Sequence, residues 1–200
     1  TLLGREAVLT ANVSGGAGSA VIEATIDGEP YEPGTPYAVE GDHTVWMQAT
    51  DTAGATASAE RTFTVDLTPP AFNAITPPSG SLLGAATVIV SGQVSADADS
   101  VLVGGMPATL DTPSGDWRGF ASPQIALIEG ANTMQLEATD AAGHSSIAEL
   151  VLSVDTTAPT LTVASPEPGH VTGATEITLS GTAVDAHLAS VTVAGAAASI

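Results

Sequence analysis

The sequence predicts an all-β protein built from tandem antiparallel β-sandwiches, and three observations lead to this prediction. Apolar residues make up 44% of the 200 residues but aromatic residues only 4%, so aliphatic side chains must fill the cores, and Val and Ile favour strands. Apolar and polar residues alternate along short runs that end at Gly, Pro and Asp clusters, as half-buried strands do. One unit of sequence also recurs 89 residues further along the chain.

The repeat is clearest where Thr-Asp-Thr-Ala-Gly at 50–54 recurs as Thr-Asp-Ala-Ala-Gly at 139–143. The same spacing of 89 residues continues into a third copy and relates Gly41 to Gly130, Val65 to Val154, Asp66 to Asp155, Pro70 to Pro159, Gly80 to Gly169, and Gly92 to Gly181. We therefore predict three domains. They are 1–66, a divergent and N-terminally shortened copy; 67–155, a complete copy; and 156–200, the first half of a further copy, so that both ends cut through a longer polypeptide.

Alternation predicts the strands and the face that each one buries. The inward residues are Val45, Met47, Ala49, Phe63 and Val65 in the first copy, and Met134, Leu136, Ala138, Leu152 and Val154 in the second. Further strands are predicted over 7–13, 20–27, 86–92, 99–104, 124–128, 175–180 and 189–194. About seven short strands in each copy are typical of an antiparallel two-sheet sandwich.

The turns between the strands have their own residue signals. Residues 51–54 and 140–143 each begin with Asp, which can accept its own downstream amides, and end with Gly, which can take a positive φ. These segments are predicted to be hairpin loops. Ile26-Asp27-Gly28 resembles Val103-Gly104-Gly105 but lies at a spacing of 77 residues, so the first copy is a relative of the others rather than a duplicate.

The charge balance excludes several partners. The chain has 22 acidic residues against 3 basic ones, all arginine, for a net charge of −19. Nucleic-acid binding and adsorption to anionic membranes both need clusters of basic residues, so neither is expected. No apolar run approaches the roughly 18 residues of a membrane span, so no membrane insertion is predicted in this segment. The absence of cysteine excludes disulfides and thiolate metal sites.

A family resemblance appears at the predicted junctions. Residues 66–70 and 155–159 resemble the linkers between tandem bacterial immunoglobulin-like (Ig-like) domains, and the middle copy is similar to the Ig-like domain that is also an accessory domain of glucodextranase. The segments that carry this likeness are 77–80, 90–92, 101–105, 129–133 and 138–143. His144 departs from it, because the family usually has Asn after the turn glycine. The resemblance implies Ig-like sandwiches in a rod, outside the cell or on the surface of a prokaryote.

Calcium is the cofactor that this resemblance suggests, since similar adhesin repeats in some cases bind Ca²⁺ at their junctions. Asp66 and Asp155 end the last strand at each junction, and Asp51 and Asp140 lie in loops near domain ends. Ca²⁺ prefers carboxylate and carbonyl oxygens. The alternative is purely structural: Asp51 and Asp140 close turns, and Asp66 and Asp155 bind linker amides.

Two tryptophans are the candidate interaction residues. Trp46 falls on the outward face of its strand, and Trp117 lies in a Gly-Asp-Trp-Arg-Gly-Phe turn. Exposed Trp rings can stack on sugar rings or dock a neighbouring subunit. The alternatives are a packed residue of the outer sheet for Trp46 and a loop residue folded over the sandwich edge for Trp117.

Catalysis is not predicted. The nearest acid and base groupings are Asp42 with His43, Asp140 with His144, and Asp185 with His187, and no nucleophile elbow or metalloprotease motif accompanies them. The predicted function is a structural stalk, adhesin shaft or filament building block whose partners are neighbouring Ig-like domains or identical subunits. The alternative is an accessory module of an extracellular polysaccharide-active enzyme, with glycans as partners.

Overall fold

A computed structural model of the chain describes residues 2–3, 7–11 and 21–199. These residues form strands, turns and irregular segments without a helix, which confirms the predicted all-β class. None of them belongs to a helix that is long and apolar enough to cross a membrane. The backbone divides into two compact units. The first is Thr1–Ser79, Ile89–Ile125 and Thr133–Leu150, and the second is Gly80–Val88, Ala126–Asn132 and Val151–Ile200.

Residues up to 65 form a five-stranded sheet in the order β1-β7-β6-β3-β4 and a two-stranded sheet of β2 and β5. The strands are β1 (Leu2–Leu3), β2 (Ala7–Val8), β3 (Val21–Ile26), β4 (Glu29–Pro30), β5 (Pro36–Tyr37), β6 (Gly41–Thr50) and β7 (Thr56–Val65). The β6–β7 hairpin pairs antiparallel without interruption, and β1 joins β7 in parallel. The small core beneath contains Ala7, Ile26, Phe63 and Val65.

The middle of the chain forms a four-stranded sheet, β14-β15-β11-β8, a five-stranded sheet, β13-β12-β17-β18-β9, and a short pair, β10 with β16. The strands are β8 (Phe72–Thr76), β9 (Ser81–Leu83), β10 (Thr87–Val88), β11 (Ser91–Ser95), β12 (Ala98–Val103), β13 (Met106–Pro107), β14 (Thr109–Leu110), β15 (Trp117–Ala121), β16 (Ile125–Ala126), β17 (Gly130–Asp140) and β18 (Ser145–Val154). The inward residues predicted for β17 and β18 are buried, namely Met134, Leu136, Ala138, Leu152 and Val154.

The last residues form two short antiparallel pairs, β19 with β20 and β21 with β22. The strands are β19 (Thr160–Ser165), β20 (Ser180–Val184), β21 (Thr192–Val193) and β22 (Ala196–Ala197). The register of β19 and β20 repeats that of β8 and β11, since Leu161 faces Ala183 as Phe72 faces Val94. The third copy therefore begins with the same strand pair as the second.

Several predicted strands need correction. Residues 175–179 are not a strand, although β10, their counterpart in the middle copy, is one and pairs with β16. The predicted strand 86–92 divides into β10 and β11, and 189–194 shortens to β21. Of 7–13 only Ala7–Val8 is a strand, and 12–13 and 20 lie outside the described residues. The prediction also missed β8, β15 and β19.

Three hairpins with two-residue loops have the same type of turn. Asp27-Gly28, Gly104-Gly105 and Ala194-Gly195 have positive φ at both positions, between 50° and 86°. This is the geometry of the type I′ turn, which matches the twist of the strands it joins. The predicted likeness between 26–28 and 103–105 is thereby confirmed, although the spacing between them differs from that of the main repeat.

The glycine that recurs at 92 and 181 lies where two strands come unusually close. A Cβ at Gly92 would lie 2.9 Å from Cε1 of Phe120 and 3.2 Å from the carbonyl oxygen of Asn73. A Cβ at Gly181 would lie 2.1 Å from the carbonyl oxygen of Thr162, the residue that corresponds to Asn73 in the next copy. Close backbone approach beside a register shift therefore explains why this position is glycine in both copies.

We predict that Gly92→Ala destabilises the protein. The new methyl group overlaps the buried Phe120 ring, and overpacking of this kind costs about 1–3 kcal/mol of the free energy of unfolding. Gly84→Ala is the matched control, because its Cβ would meet nothing within 4 Å. Urea unfolding monitored by circular dichroism measures both variants. Equal midpoints for the two would contradict the steric explanation.

Candidate functional site

Aspartates close the turns of the two long hairpins, as the structural alternative predicts. Oδ1 of Asp51 accepts the amides of Ala53 and Ala55 at 2.8 Å each, and Oδ1 of Asp140 accepts the amide of His144 at 2.9 Å. The two turns differ in environment. Asp51 is exposed, whereas the Asp140 side chain is 0% exposed.

Carboxylates also hold the chain as it leaves each long hairpin. Oδ1 of Asp66 accepts the amide of Thr68 at 3.2 Å, and Oδ1 of Asp155 accepts the amide of Thr157 at 3.1 Å. Asp66 and Asp155 stand 89 residues apart, so the same contact recurs with the repeat. The predicted binding of linker amides is confirmed at both positions.

Two glutamates strengthen this linker contact. Oε2 of Glu40 accepts the amide of Leu67 at 2.8 Å, and Glu129 accepts both the amide and the hydroxyl of Thr156, at 3.1 and 2.8 Å. Neither glutamate was among the predicted site residues. The signal was present, because Glu40-Gly41 recurs as Glu129-Gly130 at the spacing of the repeat.

One group of metal-ligating side chains forms within the first compact unit. Asp66, Asp140 and His144 bring one ligand atom each to within 4.8 Å of one another. Nδ1 of His144 lies 3.1 Å from Oδ2 of Asp140. Of the four aspartates proposed from sequence, the structure thus brings Asp66 and Asp140 together and places Asp51 and Asp155 elsewhere.

Asp155 has its own histidine partner in the second unit. Nδ1 of His187 lies 2.5 Å from Oδ2 of Asp155, while the backbone amide of His187 donates to Asp185. The hydrogen bond from His187, followed by that from the Thr157 amide, lowers the pKa of Asp155 below its usual value. These side chains line an open recess of about 410 Å³. Asp185, the acidic residue nearest to His187 in the sequence, thus binds the backbone amide of His187, while the ring contacts Asp155.

Asp42 and His43, the nearest acid and base in this part of the sequence, have side chains on opposite faces of their strand. Neighbouring residues on a strand point to opposite faces, so His43 turns inward and is buried, while Asp42 stays exposed and accepts the Thr64 hydroxyl at 2.6 Å. The His43 ring instead contacts Asp27, with Nδ1 2.7 Å from Oδ2. Asp27 lies in the β3–β4 turn, and nothing in the local sequence around His43 indicates this contact.

The surroundings of the His43 ring favour its doubly protonated form. Nε2 lies 2.8 Å from the carbonyl oxygen of Val39 and Nδ1 faces the Asp27 carboxylate, so both nitrogens meet acceptors. The Asp27 hydrogen bond raises the pKa of His43, against the opposing effect of burial, and the same bond lowers the pKa of Asp27. The Tyr37 ring packs edge-on against the imidazole at 4.9 Å between centroids, and its hydroxyl lies 3.2 Å from Nδ1.

The two tryptophans are half-buried and belong to different sheets. Trp46 lies on β6 between Thr25 of β3 and Glu60 of β7. Trp117 begins β15, and its carbonyl accepts the amide of Ser114 at 2.8 Å. The structure therefore does not place the two rings in a row along one sheet.

Comparison with known proteins adds a family for the last part of the chain. Residues 159–200 match the family model described as Glucodextranase, domain B. This match confirms, over that segment, the resemblance seen in the sequence. A search of curated proteins finds no match.

Several solved structures are similar to parts of this chain at low sequence identity. Fibronectin(III)-like modules of Clostridium thermocellum CbhA align at 14% identity and a TM-score of 0.43, over 76% of this chain and 87% of theirs. Protocadherin gammaB7 EC3-6 aligns at 17% identity with a TM-score of 0.32. Bacteroides ovatus SGBP-B in complex with a mixed-linkage heptasaccharide aligns at 15% identity with a TM-score of 0.24. These two alignments include 60% and 67% of this chain, but only 34% of the protocadherin chain and 37% of the SGBP-B chain. These likenesses concern the fold alone.

We predict that stability falls as the pH rises through the folded pKa of His43. Its pKa is raised by folding, so its contribution is complete below the unfolded value of 6.5 and is lost on deprotonation. Asp27 acts in the opposite direction, since its lowered pKa makes its contribution complete above 3.8 and lost in acid. The melting temperature should therefore be highest between these two values.

Melting curves over a pH series measure this effect. His43→Gln should flatten the decline on the alkaline side, because the remaining partners Asp27, Asp42 and Tyr37 then face no titrating imidazole. His170→Gln is the control, since His170 is exposed and should leave the decline unchanged. A decline that persists in His43→Gln would assign it to another group.

Proposed function

We propose that this chain is a non-catalytic segment of tandem Ig-like domains that serves as a stalk, adhesin shaft or filament building block of a secreted or surface prokaryotic protein. Within this proposal the domains are 1–66, 67–155 and 156–200. The observation that carries it is the linker contact that recurs with the repeat. Glu40 and Glu129, at equivalent positions, each bind the first amide of a linker, at Leu67 and Thr156.

A linker bound in this way has little freedom at its start. Aspartate at 66 or 155 holds the amide two residues later, and proline at 70 or 159 fixes φ and keeps the preceding residue extended. Proline and charge-assisted hydrogen bonds both favour one path of the chain over many. Repetition of this short, restrained linker supports a stiff rod whose length grows with the number of copies.

The composition supports packing against other protein surfaces. With no lysine in the chain, a strand face covered by Thr, Ser, Ala and Gln can pack against an identical subunit without burying an ammonium group. Calcium binding remains part of the proposal at Asp51 and Asp155, whereas Asp66 and Asp140, the other two aspartates suggested by the resemblance, converge with the imidazole of His144, a nitrogen ligand that does not suit Ca²⁺.

We predict that the protein is extended in solution. Each sandwich spans roughly 35–45 Å along its strands, so two and a half copies would reach about 100 Å, with a radius of gyration of about 25–30 Å. A compact protein of 200 residues would have about 16 Å. Small-angle X-ray scattering distinguishes these values. A radius near 16 Å would overturn the rod.

The linker glutamates should control how straight the rod is. Glu40→Ala with Glu129→Ala should broaden the distance distribution in scattering, because Leu67 and Thr156 lose their acceptors. Glu60→Ala with Glu149→Ala is the matched control, as both residues are exposed and stand at equivalent positions of the repeat. Identical distributions for the two double variants would remove the linker contact as the source of stiffness.

The second candidate function is an accessory module of an extracellular polysaccharide-active enzyme, and the family match over 159–200 favours it. On this proposal Trp46 or Trp117 contacts sugar rings, since both are partly exposed. Electrophoresis in gels that contain dextran or mixed-linkage glucan should then retard the protein, and Trp46→Ala or Trp117→Ala should restore its mobility. Unretarded migration in every gel would reject this candidate.

A further inference from the structure

The group formed by Asp66, Asp140 and His144 has a donor set that differs from the one expected of a calcium site. In the described part of the chain it is the one group of three such donors whose ligand atoms lie within 4.8 Å of one another. Ca²⁺ takes six to eight oxygen ligands, whereas this group offers two carboxylates and one imidazole nitrogen. We propose that Asp66, Asp140 and His144 form a site for a divalent cation of the zinc class.

The distances within the group suit a four-coordinate ion. Zn²⁺ binds imidazole nitrogen and carboxylate oxygen at about 2.0–2.2 Å, which places tetrahedral ligand atoms about 3.4 Å apart. Nδ1 of His144 and Oδ2 of Asp140 already stand 3.1 Å apart. The ligand atom of Asp66 lies within 4.8 Å of the other two. It would therefore have to move by about 1.5 Å or less to reach the tetrahedral spacing. Three protein ligands leave the fourth position to water.

The turn holds two of the three donors in place. The Asp140 side chain is fully buried, and its Oδ1 accepts the His144 amide at 2.9 Å, so Oδ2 faces the imidazole. Asp66 is half-buried, and its Oδ1 accepts a hydrogen bond from the Thr68 amide. A carboxylate has about four lone-pair positions, so Asp66 keeps capacity for an ion.

The first copy of the repeat shows that His144 is not required for the turn itself. The Asp51 turn makes the same backbone closure, with the Asp51 amide donating to the carbonyl of Ala55 at 2.9 Å as the Asp140 amide donates to that of His144 at 3.1 Å. Alanine therefore suffices at this position for folding. The turn closes without an imidazole, so the His144 side chain is not needed to form it.

Electrostatics favour cation binding at this place. Two carboxylates are held close together in a chain of net charge −19, and no Lys or Arg forms an ion pair with either in the described residues. A divalent cation would neutralise both charges at once. The inference is separate from the stalk proposal, which rests on the repeat and the linker contacts.

The test uses the whole chain after treatment with a chelator. Equilibrium dialysis with ZnCl2 should show one ion bound per chain, and Co²⁺ in its place should give the visible absorption of a tetrahedral site with a nitrogen ligand. His144→Ala, which copies the Ala55 turn, and Asp66→Asn should each weaken Zn²⁺ binding at least tenfold. His187→Ala is the control, because that ring contacts Asp155 in the second unit, and it should bind Zn²⁺ as the parent does.

The outcomes separate this proposal from its alternatives. Binding that is unchanged in both His144→Ala and Asp66→Asn would overturn the assigned ligands, and so would a Co²⁺ spectrum of octahedral type. If CaCl2 at equal concentration displaces Zn²⁺, the site belongs to calcium and the proposed cation class is wrong. Circular dichroism of each metal-free variant confirms that it folds, and none of these results changes the expected scattering of the rod.

Discussion

Carboxylates that accept backbone amides are the interaction on which the rest of the structure depends. They close the turns at Asp51 and Asp140, which set the long hairpins, and they hold the linkers that leave those hairpins, through the side chains at 40, 66, 129 and 155. A carboxylate binds amides more strongly than a neutral acceptor does and can accept several. These six carboxylates have backbone partners and so need no lysine beside them, and the ion pairs among the described residues all use histidine.

The features that the sequence predicted are those carried by contiguous residues. The inward faces of β17 and β18 follow from alternation, which belongs to each strand by itself. The turns at 51–54 and 140–143 follow from the residue types that a turn requires. The repeat extends this local information, because the recurrence of Gly92 at 181 reflects one close approach of two strands. Fold class and local geometry could therefore be read without knowledge of which strands pair.

The features that the sequence did not predict all depend on pairing across the chain. His43 meets Asp27, 16 residues away, because β3 pairs with β6, while its sequence neighbour Asp42 lies on the opposite face of the strand. Asp66 follows β7 and Asp140 ends β17, two strands of different sheets, yet their carboxylates approach each other across 74 residues of sequence. The strands β8 and β15 were missed because their apolar residues do not alternate, and they are strands beside their partners in one sheet. Of the candidate site, the sequence thus supplied Asp66 and the grouping of Asp140 with His144, and the folded chain supplied the approach of Asp66 to that pair.

The copies of the repeat share the same turn but differ in the side chains around it. Asp51 and Asp140 close the same turn, yet one is exposed beside alanine and the other is buried beside His144. Charges separated by more than about 8 Å in physiological salt are largely screened from each other, so carboxylates spread along the copies interact little. Repulsion matters where two of them come close, as Asp66 and Asp140 do, and as Asp155 and Glu129 do at the next linker. Dependence on cations should therefore be concentrated at such places rather than distributed evenly along the repeats.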